Sequence, residues 1–136
     1  MGITFDHVHI KTEQCRQAAE WFVEHFGARI LYEREQEGGR IVRVELCGVH
    51  INFISRRTWE ELEPGSVDSR YGLEHIGIGT DDLEGVMSRL TAAGVEVLSP
   101  IRTTPRGSKM AFVRAPGDVR VELFSEPPDE PSAKRG

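Results

Sequence analysis

Val49-His50-Ile51-Asn52-Phe53-Ile54-Ser55 returns further along the chain as Val119-Arg120-Val121-Glu122-Leu123-Phe124-Ser125, at an offset of 122 − 52 = 70. Both stretches alternate apolar and polar side chains with the period of two that marks a β-strand. Upstream, Asp6-His7-Val8-His9-Ile10-Lys11-Thr12 aligns with Glu74-His75-Ile76-Gly77-Ile78-Gly79-Thr80 at an offset of 75 − 7 = 68. A drift of two residues between copies is an ordinary loop difference, so the chain reads as one strand-rich unit written twice. In each copy the leading strand is followed by a helical stretch that ends on glycine: Glu13 to Phe26 then Gly27, and Asp81 to Ala93 then Gly94. Glycine suits the left-handed residue that closes a helix.

The remaining period-2 or apolar runs complete the pattern. Strands are expected at Ile3–Lys11, Arg29–Glu35, Arg40–Cys47, Val49–Ser55, Leu73–Gly79, Val95–Ser99, Lys109–Arg114 and Val119–Ser125. Cys15, Ala18, Ala19, Phe22, Val23 and Phe26 recur at helical spacing and mark the buried face of the first helix, as Leu83, Val86, Met87 and Leu90 do for the second. Gly38-Gly39 and Pro116-Gly117-Asp118 sit where tight turns are needed, and Gly48 makes a hairpin. Thr58 and Glu61 have capping-box spacing for a short helix. The expected organisation is a βαβββ module over 1–56, a connector over 57–71, a second module over 72–126, and a flexible tail over 127–136 in which Pro127, Pro128 and Pro131 stand among charges. A unit of about 65 residues alone buries little surface, so the two modules are expected to share one structural domain of α+β class.

Bulk properties exclude several classes of function. A formal net charge of −5 with no basic cluster argues against nucleic acid. No apolar run approaches membrane-spanning length and no signal-peptide profile opens the chain, so a cytoplasmic protein with no membrane partner is expected. Cys15 and Cys47 match no metal-binding spacing and are expected as structural thiols.

Alternation puts Val8 and Ile10 on one strand face and His7, His9 and Lys11 on the other. Ile76 and Ile78 likewise oppose His75, Ile51 and Phe53 oppose His50 and Asn52, and Val121 and Leu123 oppose Arg120 and Glu122. The apolar faces can meet helices; the opposite faces carry His, Glu, Asn and Arg, which suggests a wet pocket. His7, His75 and Glu122 form a two-His-one-carboxylate set that leaves a divalent metal with open positions. His9 and His50 share the polar face and are candidate proton carriers, Glu122 is counted with them as catalytic, and Arg120 and Asn52 are candidate substrate contacts. His25, late in the first helix, is expected at that helix's C-terminal dipole.

Phe5-Asp6-His7-Val8-His9-Ile10, Leu73-Glu74-His75-Ile76-Gly77-Ile78, Ala92-Ala93-Gly94-Val95 and the run Ala115 to Leu123 resemble the vicinal oxygen chelate superfamily, which includes glyoxalase I, methylmalonyl-CoA epimerase, extradiol dioxygenases, fosfomycin resistance transferases and bleomycin resistance proteins. The resemblance covers roughly residues 3–126 and implies two βαβββ modules in a partly open eight-stranded barrel-like sheet, with helices outside and a divalent metal, Fe, Mn, Co, Ni or Zn, within. It implies metal ligation by His7, His75 and Glu122 and a homodimer, the ligand set in some relatives being completed across subunits. Asn52 stands where glyoxalase I has Glu and the epimerase Gln; its side chain is a methylene shorter than Gln and cannot serve as the carboxylate base there, which argues against a lactoylglutathione lyase.

Three functions follow in order. The first is a metal-dependent enzyme that chelates vicinal oxygens of a small substrate and stabilises an enolate or oxyanion, as a lyase, isomerase or epimerase. The second is an Fe(II) extradiol-type dioxygenase. The third is a metal-free, ligand-sequestering protein of bleomycin-resistance type.

Overall fold

A computed structural model describes residues 2–127. Contacts divide the chain into two compact units, the first reaching Gly65 and the second beginning at Ser66. Each is a βαβββ module, as the repeat requires. The first runs β1 (Val8–Lys11), α1 (Cys15–Phe26), β2 (Arg29–Gln36), β3 (Gly39–Leu46) and β4 (Val49–Ile54). The second runs β5 (Ile76–Gly79), α2 (Leu83–Ala92), β6 (Val97–Thr103), β7 (Lys109–Ala115) and β8 (Val119–Ser125). The ladders form two four-stranded mixed sheets, ordered β1-β4-β3-β2 and β5-β8-β7-β6, rather than a closed barrel.

In both units the first strand pairs parallel with the last, and every other pairing is antiparallel. Register confirms the repeat: His9 lies beside Asn52, which lies beside Arg43, while Gly77 lies beside Glu122, which lies beside Phe112. Asn52 and Glu122 therefore occupy the same place in their sheets.

One face of each sheet is closed by its helix. Phe22 of α1 meets Phe53 of β4 with ring centroids 5.5 Å apart, and Val42, Val44 and Ile51 are buried beside them. Leu83 and Leu90 of α2 are buried, as are Val113, Val121 and Leu123 of β7 and β8. The expected helix faces hold for Cys15, Ala18, Ala19 and Phe22 and for Leu83, Met87 and Leu90, but Val23 is exposed and His25 is buried edge-on to Trp21, 4.9 Å between centroids. Gly27 and Gly94 both take positive φ at their helix ends. At the start of α2, Asp82 accepts a hydrogen bond from the Gly85 N–H, and a side chain at position 85 would collide with that carboxylate.

The departures from expectation have local causes. β1 and β5 begin at Val8 and Ile76, because Ile3, Phe5, Tyr71 and Leu73 are exposed outside the ladders and their apolar alternation has no partner strand. β6 runs to Thr103 through Pro100, a residue that argues against a central strand; β6 is an edge strand whose register shifts around this segment, so the missing N–H is tolerated. The β2–β3 turn uses Glu37 and Gly38, and the β3–β4 turn Cys47 and Gly48, all four with positive φ, the backbone of a two-residue hairpin loop matched to strand twist. Cys47 is therefore an exposed thiol, whereas Cys15 is buried against the carbonyls of Thr12 and Arg40. Thr58 and Trp59 form a turn instead of a short helix. The tail beyond residue 127 lies outside the described residues. No helix among the described residues is long and apolar enough to cross a membrane.

Phe53 has no solvent exposure and anchors α1 to its sheet. Phe53→Ala should lower the unfolding free energy by about 3–5 kcal/mol, read by urea denaturation followed by circular dichroism.

Candidate functional site

The polar face of the second unit is set by β8. With Val121 and Leu123 turned to α2, Arg120 and Glu122 must share the other side. His75 enters this face just before β5. Its Nδ1 lies 2.9 Å from Glu74 Oε1, its Nε2 lies 3.8 Å from Glu122 Oε2, and its ring meets Phe112 edge-on with centroids 5.3 Å apart. The nearby Arg120 Nε is buried without a hydrogen bond among the described residues. A carboxylate at Nδ1 takes the hydrogen bond of Nδ1–H, which in the neutral imidazole leaves the lone pair on Nε2, on the side of Glu122. An imidazole nitrogen and a carboxylate oxygen at this separation can both reach one divalent ion with bonds of about 2.0–2.2 Å.

Arg120 is spent inside the unit. It donates to the Val67 carbonyl at 3.1 Å, stacks 4.2 Å over Phe112, and sets its Nε 3.6 Å from Glu74 Oε1. The hydrogen bond from His75, foremost, and the Arg120 charge hold the Glu74 carboxyl below its usual pKa, against the opposing effect of burial.

In the first unit, His7 Nδ1 lies 2.6 Å from Asp6 Oδ2, which likewise leaves Nε2 as the lone-pair nitrogen. Arg43 of β3 reaches Asp6 Oδ2 at 3.4 Å and the Asp6 carbonyl at 3.3 Å. The same guanidinium stands 2.6 Å from His50 Nδ1. A guanidinium only donates, so His50 accepts at Nδ1 and carries its proton on Nε2: it faces the site as a hydrogen-bond donor, not as a base through Nδ1. Asn52 is 5 % exposed, and its Oδ1 is a buried acceptor without a hydrogen bond among the described residues. His9 neighbours it; burial first, then the charges of Lys11, His7 and Arg57, lower its pKa from the ordinary imidazole value, with Glu60 opposing. Lys11 is tied to Glu60 at 2.6 Å, and Glu60 also accepts the Arg57 N–H, which pins the segment after β4 against β1.

His75 and Glu122 are thus brought together, and His9, Asn52 and Arg43 share one row. Among the described residues no three His, Cys, Asp or Glu side chains are grouped to hold a metal ion. The carboxylates Asp6 and Glu74 and the guanidinium of Arg43 were not singled out in the sequence. The signal for the first two was present, since each copy places an acid immediately before its histidine. Arg43 gave none, because its copy in the second sheet is Phe112.

The sequence profile of the Glyoxalase/Bleomycin resistance protein/Dioxygenase superfamily matches residues 4–123. The chain belongs to this superfamily. Solved structures of the superfamily share its fold. A glyoxalase family protein from Bacillus cereus is 17% identical with a TM-score of 0.77, covering 93% of this chain and 96% of its own. A fosfomycin resistance protein from Listeria monocytogenes, in complex with Mn(II) and dihydroxypropylphosphonic acid, is 16% identical with a TM-score of 0.67 over 90% and 92% of the two chains. A glyoxalase I from Zea mays is 15% identical with a TM-score of 0.69, and the match spans 87% of this chain but 43% of that one. A comparison with curated proteins finds no match. Superfamily membership establishes the doubled module and leaves reaction and substrate to the side chains of the two polar faces.

The Lys11–Glu60 pair gives a pH signature. Its hydrogen bond lowers the Glu60 pKa from 4.5, so it stabilises the fold fully above pH 4.5 and loses that contribution as pH falls through the lowered value. Glu60→Gln should therefore melt below wild type at pH 7, and the difference should shrink steadily below pH 4.5 in thermal scans.

Proposed function

We propose that this chain is a divalent-metal-dependent enzyme that takes a small substrate through two adjacent oxygens and stabilises the negative charge developing on them, as a lyase, isomerase or epimerase does. The observation that supports this reading is the pair His75 Nε2 and Glu122 Oε2, 3.8 Å apart, with the histidine's other nitrogen held by Glu74. The pair stands beyond hydrogen-bond distance, at a separation that one ion with bonds of about 2.0–2.2 Å can bridge. His7, which presents Nε2 in the same way from the repeat-equivalent position, is the proposed third ligand. A divalent ion held by these residues supplies Lewis-acid polarisation of the substrate oxygens.

The chain's own residues have distinct tasks in this reading. His9, on the polar face and with its pKa lowered, carries the proton. Its place in the second sheet is Gly77, so the first unit alone supplies this group. His50 donates from Nε2 to a substrate oxygen, and Asn52 offers Oδ1 to a substrate hydroxyl or to the ion. Arg120, already engaged with Val67 and Glu74, organises the face more than it binds.

Metal analysis of protein purified without chelator and supplemented with Mn(II), Co(II), Ni(II), Zn(II) or Fe(II) tests this. Wild type should retain a stoichiometric ion, and Glu122→Ala and His75→Ala should lose it. Wild type that takes up none of these ions contradicts the proposal, and oxygen consumption with catechols under Fe(II) would replace the redox-neutral chemistry with a dioxygenase.

A further inference from the structure

Neighbouring residues of a regular strand point to opposite faces, so an acid should not reach the ring of the histidine that follows it. Asp6 and Glu74 both do, at 2.6 and 2.9 Å, because in each unit the ladder begins one residue after the histidine, at Val8 and at Ile76. Each acid is in turn held by an arginine that comes from a different strand in the two units. Arg43 stands on β3, in the row of Asn52; Arg120 stands on β8, two residues before Glu122. The repeat position of Arg120 is His50, and the sheet position of Arg43 is Phe112, so arginine and ring have exchanged places between the copies. Even so, each guanidinium contacts its ring, Arg43 at 2.6 Å from His50 Nδ1 and Arg120 at 4.2 Å over Phe112, and each reaches the acid before the histidine. Simple duplication does not produce this, since neither arginine position is shared.

We infer that Asp6 and Glu74 are positioning residues, each backed by an arginine and each fixing the following histidine as its Nδ1–H tautomer, so that Nε2 of His7 and of His75 is the nitrogen each ring offers to a metal ion. The inference rests on the metal-site reading above and extends it to four residues outside the ligand set. A carboxylate on the far nitrogen both orients an imidazole and raises its basicity as a ligand, and losing such a partner typically weakens metal affinity about 10–100-fold. The arginine keeps the carboxylate aimed at the ring instead of at solvent.

Long-range 1H–15N NMR of the histidine rings in metal-free protein, alongside Zn(II) competition titration, tests this without any substrate. In wild type, His7 and His75 should report the Nδ1–H tautomer. Glu74→Ala should move His75 toward Nε2–H and raise the Zn(II) dissociation constant about 10–100-fold, while Glu74→Gln, which keeps an acceptor, should restore the tautomer and most of the affinity. Asp6→Ala should do the same at His7. Unchanged tautomers and Zn(II) affinity within twofold of wild type in both alanine variants would overturn the inference, as would an Nε2–H tautomer in wild type. If the tautomers shift as expected while Glu122→Ala and His75→Ala bind Zn(II) like wild type, the metal reading fails and the positioning of the two histidines stands.

Discussion

Parallel pairing of the first strand with the last, in each unit, is the constraint from which the remaining geometry follows. Parallel neighbours cannot be joined by a tight turn and need a long crossover, which here begins with the helix. The helix then lies on one face and claims the apolar side chains: Ile10, Ile51 and Phe53 in the first unit, Val121 and Leu123 in the second. Alternation leaves everything polar on the other face. The same pairing fixes which residues are neighbours, placing Asn52 beside His9 and Glu122 beside Gly77. A slip of one residue in either ladder would exchange the faces and bury the polar set under the helix.

Within that shared frame the two copies have diverged in what they carry. The second unit has the ligand-like pair His75 and Glu122, with glycine at the neighbouring position of β5, and its remaining face is partly apolar through Phe112. The first unit is fuller and more polar, with His7, His9, Lys11, Arg43, His50 and Asn52, and most of these are already engaged in hydrogen bonds or ion pairs. Asn52 is buried with its carbonyl oxygen outside any hydrogen bond among the described residues. One unit thus presents an imidazole beside a carboxylate, and the other presents imidazoles and hydrogen-bond donors.

Much of this was legible in the sequence because a period of two is a strong signal and was written twice. The doubled module, the helices between first and second strands, the glycines Gly27 and Gly94 and the polar faces all follow from alternation and spacing. Strand ends were less legible. Ile3, Phe5 and Leu73 continue the apolar rhythm but have no partner, and only pairing decides where a strand stops. The strand expected to end at Ser99 runs on through Pro100 to Thr103, since an edge strand tolerates proline. Side-chain partnerships were the least legible: that Arg43 holds His50, or that Glu60 and not Glu61 turns back to Lys11, depends on residues brought together from separate strands and turns. The acids before the two histidines lay in plain view, but the regular-strand rule hid them, because it places neighbours on opposite faces.

X-ray absorption at the zinc edge of Zn(II)-loaded protein tests the central claim most directly, because imidazole ligands leave a characteristic outer-shell scattering pattern. The account predicts a first shell of nitrogen and oxygen at about 2.0–2.1 Å with imidazole scattering in wild type, and loss of the bound ion with that signal in His75→Ala. A spectrum from wild type with sulfur in the first shell, or with imidazole scattering unchanged in His75→Ala, would contradict it.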